Sequence, residues 1–163
     1  MLKKLRNQHG MTLAEILVAL AIIGIGLVAL AAAIPLAGYG IQEGSQLSTA
    51  TFLANQRLEQ VRNAAWTCTP SDTLGVSASS TVPPQSGGTT TFPDENSLAA
   101  PYTGYTRTVR IQDINPSDCA APTPVYGLRQ ATVTVSYKPI TGVGQAASGT
   151  TKSAIVTMYI SER

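Results

Sequence analysis

The sequence has little charge, a single histidine and only two cysteines. Only 12% of its 163 residues are charged, which excludes a disordered polyelectrolyte and fits one folded module with a terminal segment. The histidine is His9, and Cys68 and Cys119 form no CxxC pair, so the residue set of a zinc site is missing. The cysteines leave two alternatives open, a single disulfide in an oxidising compartment or two buried or free thiols.

Basic residues are concentrated at the start of the chain. The formal net charge is +2, but Lys3, Lys4 and Arg6 lie within the first ten residues, and without them eight basic residues stand against nine acidic ones. The remaining charge of −1 excludes the basic surface that nucleic-acid binding requires. We therefore expect no direct binding of nucleic acid.

A long apolar run follows this basic cluster. Residues 16–41 contain no charged side chain, and a membrane-spanning helix needs about 20 apolar residues. Because basic residues favour the cytoplasmic side of a membrane, the rest of the chain is expected to face outward. This predicts a single-pass protein of a bacterial inner membrane, with its C-terminal part in the periplasm or at the cell surface.

Three interpretations of this N-terminus are open. A secretory signal could be cut near Ala31, in "ALAAA", but its apolar core would be too long and Glu15 would interrupt it. A plain signal anchor explains the length and the basic flank, yet it gives no role to Glu15, whose unpaired charge costs about 3 kcal/mol in a membrane. The third interpretation uses all of these residues and rests on a resemblance.

The start of the chain resembles the class III signal of type IV pilins and pseudopilins. The basic cluster precedes Gly10, and "MTLAE" then leads into the apolar run. The resemblance implies cleavage by a prepilin peptidase between Gly10 and Met11, methylation of the new Met11 amine, and Glu15 as the fifth mature residue. The usual first mature residue is Phe, so Met11 departs from the pattern. His9 would leave with the leader, so no Ser-His or Cys-His pair would remain, and we expect neither an enzyme nor a cofactor.

Assembly into a filament offers an explanation for Glu15. In a helical stack of subunits the Glu15 carboxylate of one subunit can pair with the Met11 amine of its neighbour, and Thr12 adds a hydroxyl nearby. Two charges that are costly alone in a low dielectric then stabilise each other and fix the register. The alternative is that Glu15 simply reaches headgroup water at the membrane interface.

A helix is predicted over residues 11–66, with a stop at Pro70. Pro35 should kink or locally melt it, because proline removes a helix hydrogen bond. Small residues in its membrane part allow apolar helices to approach closely; these are Gly24, Gly26, Gly38 and Gly40. The second part is amphipathic and must pack on a sheet. Its apolar stripe is Leu47, Ala50, Ala54, Leu58, Val61 and Ala65, opposite Gln46, Ser48, Asn55, Glu59 and Arg62.

The rest of the chain predicts a long loop followed by three strands. Residues 67–101 are rich in Ser, Thr, Gly and Pro and predict a solvated connection that covers a sheet edge, or else a glycosylated or adhesive loop. Three later segments alternate apolar and polar residues, namely "YTRTVRIQDI" with Val109 and Ile111, "QATVTVSYK" with Ala131, Val133, Val135 and Tyr137, and "KSAIVTMYI" with Ala154, Val156, Met158 and Ile160. An antiparallel sheet on the amphipathic helix buries all these faces, which predicts an α+β fold, the ladle-like fold of pilins.

Two side-chain pairs beyond the predicted helix are further candidates. A disulfide between Cys68 and Cys119 would join the helix end to the sheet, and closing a loop of about 50 residues is worth about 4 kcal/mol in the chain-entropy model. Asp113 and Asp118 flank a turn, but two carboxylates without the ligand series of an EF-hand are better interpreted as solvated turn residues than as a calcium site. We therefore expect no metal.

The resemblance implies a structural role. "EILVALAIIGIGLVAL", "FLANQRLEQVR" and "ATVTVSY" are similar to minor pilins of the PilV type and to I-type minor pseudopilins of type II secretion. We expect a minor subunit that helps initiate or modify a filament, with residues 1–10 as the leader, 11–40 as the membrane and filament-core helix, 41–66 as its amphipathic part and 67–163 as a β-domain. Its expected partners are the prepilin peptidase, other pilins or pseudopilins, membrane lipid before assembly, and an inner-membrane platform with its ATPase. A membrane-anchored periplasmic binding domain that never assembles is the alternative from another class.

Overall fold

A computed structural model describes residues 11–64, 66, 73–115, 127–139 and 150–162. The chain divides into two compact units, the first ending at Ile41 and the second beginning at Gln42. In chain order, the elements are α1 (Leu13–Arg62), β1 (Gln85–Ser86), β2 (Thr89–Thr90), β3 (Tyr105–Asn115), β4 (Leu128–Tyr137) and β5 (Lys152–Ser161). The residues named above that lie outside the described ranges include Gly10, Ala65, Cys68, Asp118 and Cys119. The cleavage and the disulfide therefore stay predictions.

The long helix α1 is shorter at both ends than the predicted range of residues 11–66. At its C-terminal end the Ala64 amide donates to the Val61 carbonyl, only three residues back, at 3.1 Å. This tightens the last residues into a turn. Trp66 lies beyond the helix, where its ring packs against the guanidinium of Arg129 at 4.4 Å, and this contact takes the place of a further helical turn.

Pro35 lies inside α1 without ending it. Its ring nitrogen has no N–H, so the helix bond to the Ala31 carbonyl is missing. The helix nevertheless continues on both sides, because one lost bond does not outweigh those that remain. The predicted local melting is therefore wrong, and the kink stays a prediction.

The part of α1 in the first unit is apolar around its whole circumference. It is long and apolar enough to cross a membrane, and none of its most apolar stretch is buried within the structure. A Cβ added at Gly24, Gly26, Gly38 or Gly40 would meet nothing within 4 Å. A helix that is apolar on all sides needs an apolar environment from outside the chain, which a bilayer or a bundle of similar helices supplies.

In the second unit, one face of α1 forms part of a hydrophobic core. The buried helix residues are Ala50, Leu53, Ala54, Leu58 and Val61. Four of them were predicted from periodicity, whereas Leu53 was missed although only 2% of it is exposed. The prediction that Leu47 belongs to this face is wrong, because 47% of it is exposed.

A three-stranded antiparallel sheet in the order β3-β4-β5 supplies another part of the core. Its register places Val109 of β3 beside Val133 of β4, and Val133 beside Val156 of β5. The predicted alternation is confirmed in all three strands, and β4 is the most deeply buried. The consecutive strands β4 and β5 pair antiparallel, which is the pairing that the predicted hairpin requires.

The Ser/Thr/Gly/Pro-rich segment is anchored to the core and covers the outer edge of β3. Leu74, Phe92 and Leu98 are buried in the core. The Ser77 amide donates to the Ile111 carbonyl at 2.7 Å, and other residues of the segment bond to β3 closer to its start. The predicted covering of a sheet edge is confirmed. The short β1–β2 hairpin within the segment was not predicted.

Candidate functional site

The candidate residues at the start of α1 form a reciprocal pair of hydrogen bonds. The backbone N–H of Thr12 donates to Oε2 of Glu15 at 3.3 Å, and the backbone N–H of Glu15 donates to Oγ1 of Thr12 at 3.3 Å. The amide of Ile16 also donates to the Thr12 carbonyl at 3.2 Å, which is the first bond of the helix. This arrangement is a capping box, in which Thr12 is the N-cap and Glu15 the third helical residue.

The capping box explains both the start of the helix and one role of Glu15. The first backbone N–H groups of a helix have no partner within the helix, and the end carries a partial positive charge. Oγ1 of Thr12 accepts from one of these groups, while the Glu15 carboxylate adds a negative charge in the first turn. The Thr-x-x-Glu spacing was visible in the sequence, so the capping pattern could have been found there.

The site is open to the surroundings. Met11, Thr12, Leu13 and Glu15 are all exposed, and Met11 and Leu13 are among the most exposed apolar side chains of the described residues. An acidic side chain therefore lies in the first turn of a helix whose following turns expose apolar side chains on every side. Such a carboxylate has room for a partner from another molecule, since it can accept several hydrogen bonds.

The sequence around this site matches one known family. Residues 5–31 match the family described as the prokaryotic N-terminal methylation motif. The chain carries a class III prepilin signal. The signal indicates a type IV pilin or pseudopilin that a prepilin peptidase processes and that assembles with other pilins, which are structural proteins. With the apolar helix, it indicates membrane anchoring before assembly. No curated protein and no solved structure matches the chain.

A second group of charged residues ties the Ser/Thr/Gly/Pro-rich segment that covers β3, called the covering segment below, to the β-domain core. Glu95 of the segment accepts through Oε2 from Nε of Arg107, at 2.5 Å, and Nη2 of Arg57 on α1 lies 3.9 Å from the same oxygen. Arg107 also donates through Nη1 to the Leu53 carbonyl at 3.3 Å. Its hydrogen bond to Glu95 is the main reason why the pKa of that carboxyl is lowered from its ordinary value.

Further ion pairs involve residues of the sheet, among them those of Asp113 and Lys152. Asp113, considered above for calcium, accepts through Oδ1 from Nε of Arg129 at 2.7 Å. Among the described residues there is no group of three or more His, Cys, Asp or Glu that could hold a metal ion. Lys152, the first residue of β5, pairs with Glu43 of α1 and so ties the helix to the sheet within the second unit.

Proposed function

We propose that this protein is a minor structural subunit of a type IV pilus or related filament, which is assembled through its N-terminal helix and helps to initiate or modify the filament. The observation that carries this proposal is the prepilin signal on a helix that begins with the Thr12–Glu15 capping box and whose first part is apolar on every side. The sheet domain would then lie at the filament surface or tip. Adhesion, twitching motility and DNA uptake are the activities such filaments serve.

Processing would leave the capping box intact. Cleavage between Gly10 and Met11 turns the Met11 nitrogen into an amine, but the nitrogen of Thr12 stays an amide and can still donate to Glu15. Among the described residues, the Thr12 amide donates to Oε2 of this carboxylate, and a carboxylate accepts at both oxygens. The methylated Met11 amine of a neighbouring subunit can therefore pair with Glu15 while the helix cap persists.

Assembly also depends on a source of energy and on the internal geometry of the subunit. An inner-membrane platform with its ATPase would extract the helix from the membrane into the filament. Pro35 would bend the helix where subunits pack, since its missing N–H weakens the helix locally. A disulfide between Cys68 and Cys119 would hold the chain beyond α1 against the sheet domain in the oxidising periplasm.

A minor pseudopilin of a type II secretion system is the second candidate. The methylation motif favours it equally, because it indicates pilins and pseudopilins alike. Deleting the gene separates the two functions: loss of twitching, adhesion or DNA uptake supports a pilus subunit, whereas loss of exoprotein release supports a secretion pseudopilin.

The deciding experiment is the mass of the N-terminal peptide from native membranes, with a strain that lacks the prepilin peptidase as control. We expect a chain beginning at methylated Met11 only where the peptidase is present. A chain that keeps residues 1–10, or one cut near Ala31, contradicts the proposal and supports an anchored or secreted domain.

A second experiment tests the role of Glu15 with two variants. Glu15→Val removes the carboxylate, so we expect a folded and processed chain that is absent from sheared filaments. Thr12→Ala removes the hydroxyl of the cap but keeps the carboxylate, so it should enter filaments better than Glu15→Val. Equal recovery of wild type and Glu15→Val in filaments would contradict the intersubunit pair.

A further inference from the structure

The two outer edges of the sheet are treated differently. The outer edge of β3 is covered: Glu95 and Arg107 exchange two backbone hydrogen bonds at 2.9 and 2.8 Å, and Ser77 and Leu98 donate to other β3 carbonyls. Among the described residues, β5 forms its ladder with β4 alone. One edge of the sheet is therefore closed by the chain itself, and the described part of the chain leaves the other open.

Beyond Lys152, the open edge lacks the features that normally prevent strand pairing. Natural edge strands carry charges, proline or bulges, or they are very short. In contrast, β5 pairs with β4 in continuous register from Lys152 to Ser161 without a bulge. Residues 153–161 contain no charge, proline or glycine. Apart from Lys152 at its start, β5 is a regular, uncharged strand, and such a strand is a template for another strand.

Apolar side chains on both faces of β5 give it the composition of a central strand. On the outer face, Ile155 and Tyr159 are 63% and 62% exposed. On the inner face, Val156 and Met158 are only partly buried, whereas the inward residues of β4 are fully buried. Strands that are apolar on both faces are typical of sheets in which both faces are covered. A strand added beside β5 would cover the exposed flanks of all four residues.

We infer that β5 is a docking edge, and that an extended strand from a neighbouring subunit of the same filament pairs with it. This rests on the proposed function, because the methylation motif indicates assembly with other pilins and so brings such strands to high local concentration. Backbone hydrogen bonds would supply affinity, and alternate side chains would supply selectivity. The incoming strand must be uncharged and rich in β-branched or aromatic residues, because a charge beside Ile155 or Tyr159 would lose hydration without gaining a partner.

A photocrosslinking experiment in cells tests this contact directly. The full chain carries p-benzoylphenylalanine at Ile155, or at Gln112 as control, since Gln112 is an exposed residue of β3 beside the covered edge. We expect an adduct between the Ile155 variant and another filament subunit when filaments assemble, and none in a strain without the assembly ATPase. Adducts of equal yield from both positions, or from neither, overturn the inference.

Charged variants test whether the edge matters for assembly. Ile155→Lys and Tyr159→Lys each place a lysine at the open edge, while Gln112→Lys is the matched control. Each edge variant should lower recovery in filaments about tenfold relative to the control, a factor that corresponds to about 1.4 kcal/mol. All three chains in detergent should keep the wild-type unfolding temperature, because the replaced side chains are exposed.

The outcomes separate this inference from the proposed function. If the wild-type chain enters filaments and the edge variants enter equally well, the docking edge is refuted. The proposed function is then unaffected. If the wild-type chain is never processed or never enters filaments, the proposed function is refuted, and the docking edge is refuted with it. If either lysine variant unfolds, amide hydrogen exchange of wild-type β5 decides: slower exchange in filaments than in membranes supports pairing, and unchanged exchange refutes it.

Discussion

Replacing Glu95 with glutamine should destabilise the β-domain more than any change of a surface charge. Glu95 is the shared counter-ion of two arginines whose side chains are 8% exposed for Arg107 and 14% exposed for Arg57. The substitution keeps the size and shape of the side chain and removes only its charge. Both guanidinium groups then remain desolvated and repel each other without a carboxylate between them.

The magnitude follows from burial. Removing one partner of a fully buried ion pair costs about 3 to 5 kcal/mol, but the Glu95 side chain is 31% exposed, which allows some hydration of the cluster. We therefore expect a loss of about 2 kcal/mol in the free energy of unfolding, which lowers the unfolding temperature by about 8 °C in a domain of this size. This loss includes the free energy that Glu95 contributes to holding the covering segment against β3.

The pH dependence gives a second signature. Because the pKa of Glu95 is lowered in the folded state, mainly by the hydrogen bond from Arg107, its ionised form stabilises the fold. This contribution is complete above the unfolded glutamate pKa of about 4.3 and is lost as the pH falls through the lowered folded pKa. Below about pH 4 the wild type should therefore lose stability more steeply than Glu95→Gln.

Thermal unfolding of the full chain in detergent, followed by circular dichroism from pH 3 to 8, measures both effects. Glu59→Gln is the control, because Glu59 pairs with Arg62 on the exposed face of α1 and both side chains are more than half exposed. An exposed pair of this kind is worth at most about 0.5 kcal/mol. If Glu95→Gln lowers the unfolding temperature no more than Glu59→Gln does, the assignment of a buried, coupled cluster is refuted.

Two further predictions concern packing and the backbone. Leu53→Ala should cost about 3 kcal/mol of unfolding free energy by opening a cavity, whereas Phe52→Ala, at its exposed neighbour, should cost less than about 1 kcal/mol; equal losses in urea unfolding would contradict the core described above. Gly75→Ala should destabilise by about 2 kcal/mol, because φ is +69° and a Cβ would lie 2.9 Å from the Gln85 carbonyl. Gly88→Ala, with φ at +80° but open space around it, should cost about 1 kcal/mol, and the reverse order in thermal unfolding would refute the argument.

The strands could be predicted from the sequence because their alternation is local. Val109, Ile111 and the inward residues of β4 repeat every second position, and the structure confirms each of them. Arg107 continues the same inward series and is buried, but alternation alone gave no partner for it. Its partner Glu95 lies in the loop-like segment, where no periodicity predicts a position, so the ion cluster could be found only in three dimensions.

The helix shows where periodic patterns stop being sufficient. The apolar stripe identified Ala50, Ala54, Leu58 and Val61 correctly, since each lies one turn from the next. It extended one turn too far, to Leu47, because the repeat does not indicate where the sheet ends and burial stops. The C-terminal end of α1 depends on a turn at Ala64 and on tertiary packing of Trp66, neither of which an apolar repeat encodes.

The capping box changes the physical problem that Glu15 poses. A carboxylate at the start of an apolar helix is costly if it waits in the membrane without a partner. Glu15 instead accepts a hydrogen bond from the backbone N–H of Thr12 in its own chain and lies at the positive end of the helix dipole. The charge of the carboxylate and the N–H group of Thr12 are therefore both partly compensated before assembly. In the proposed filament the Met11 amine of a neighbour would therefore add to an existing interaction rather than supply the first one. The gain on assembly would then be smaller than for an uncompensated carboxylate.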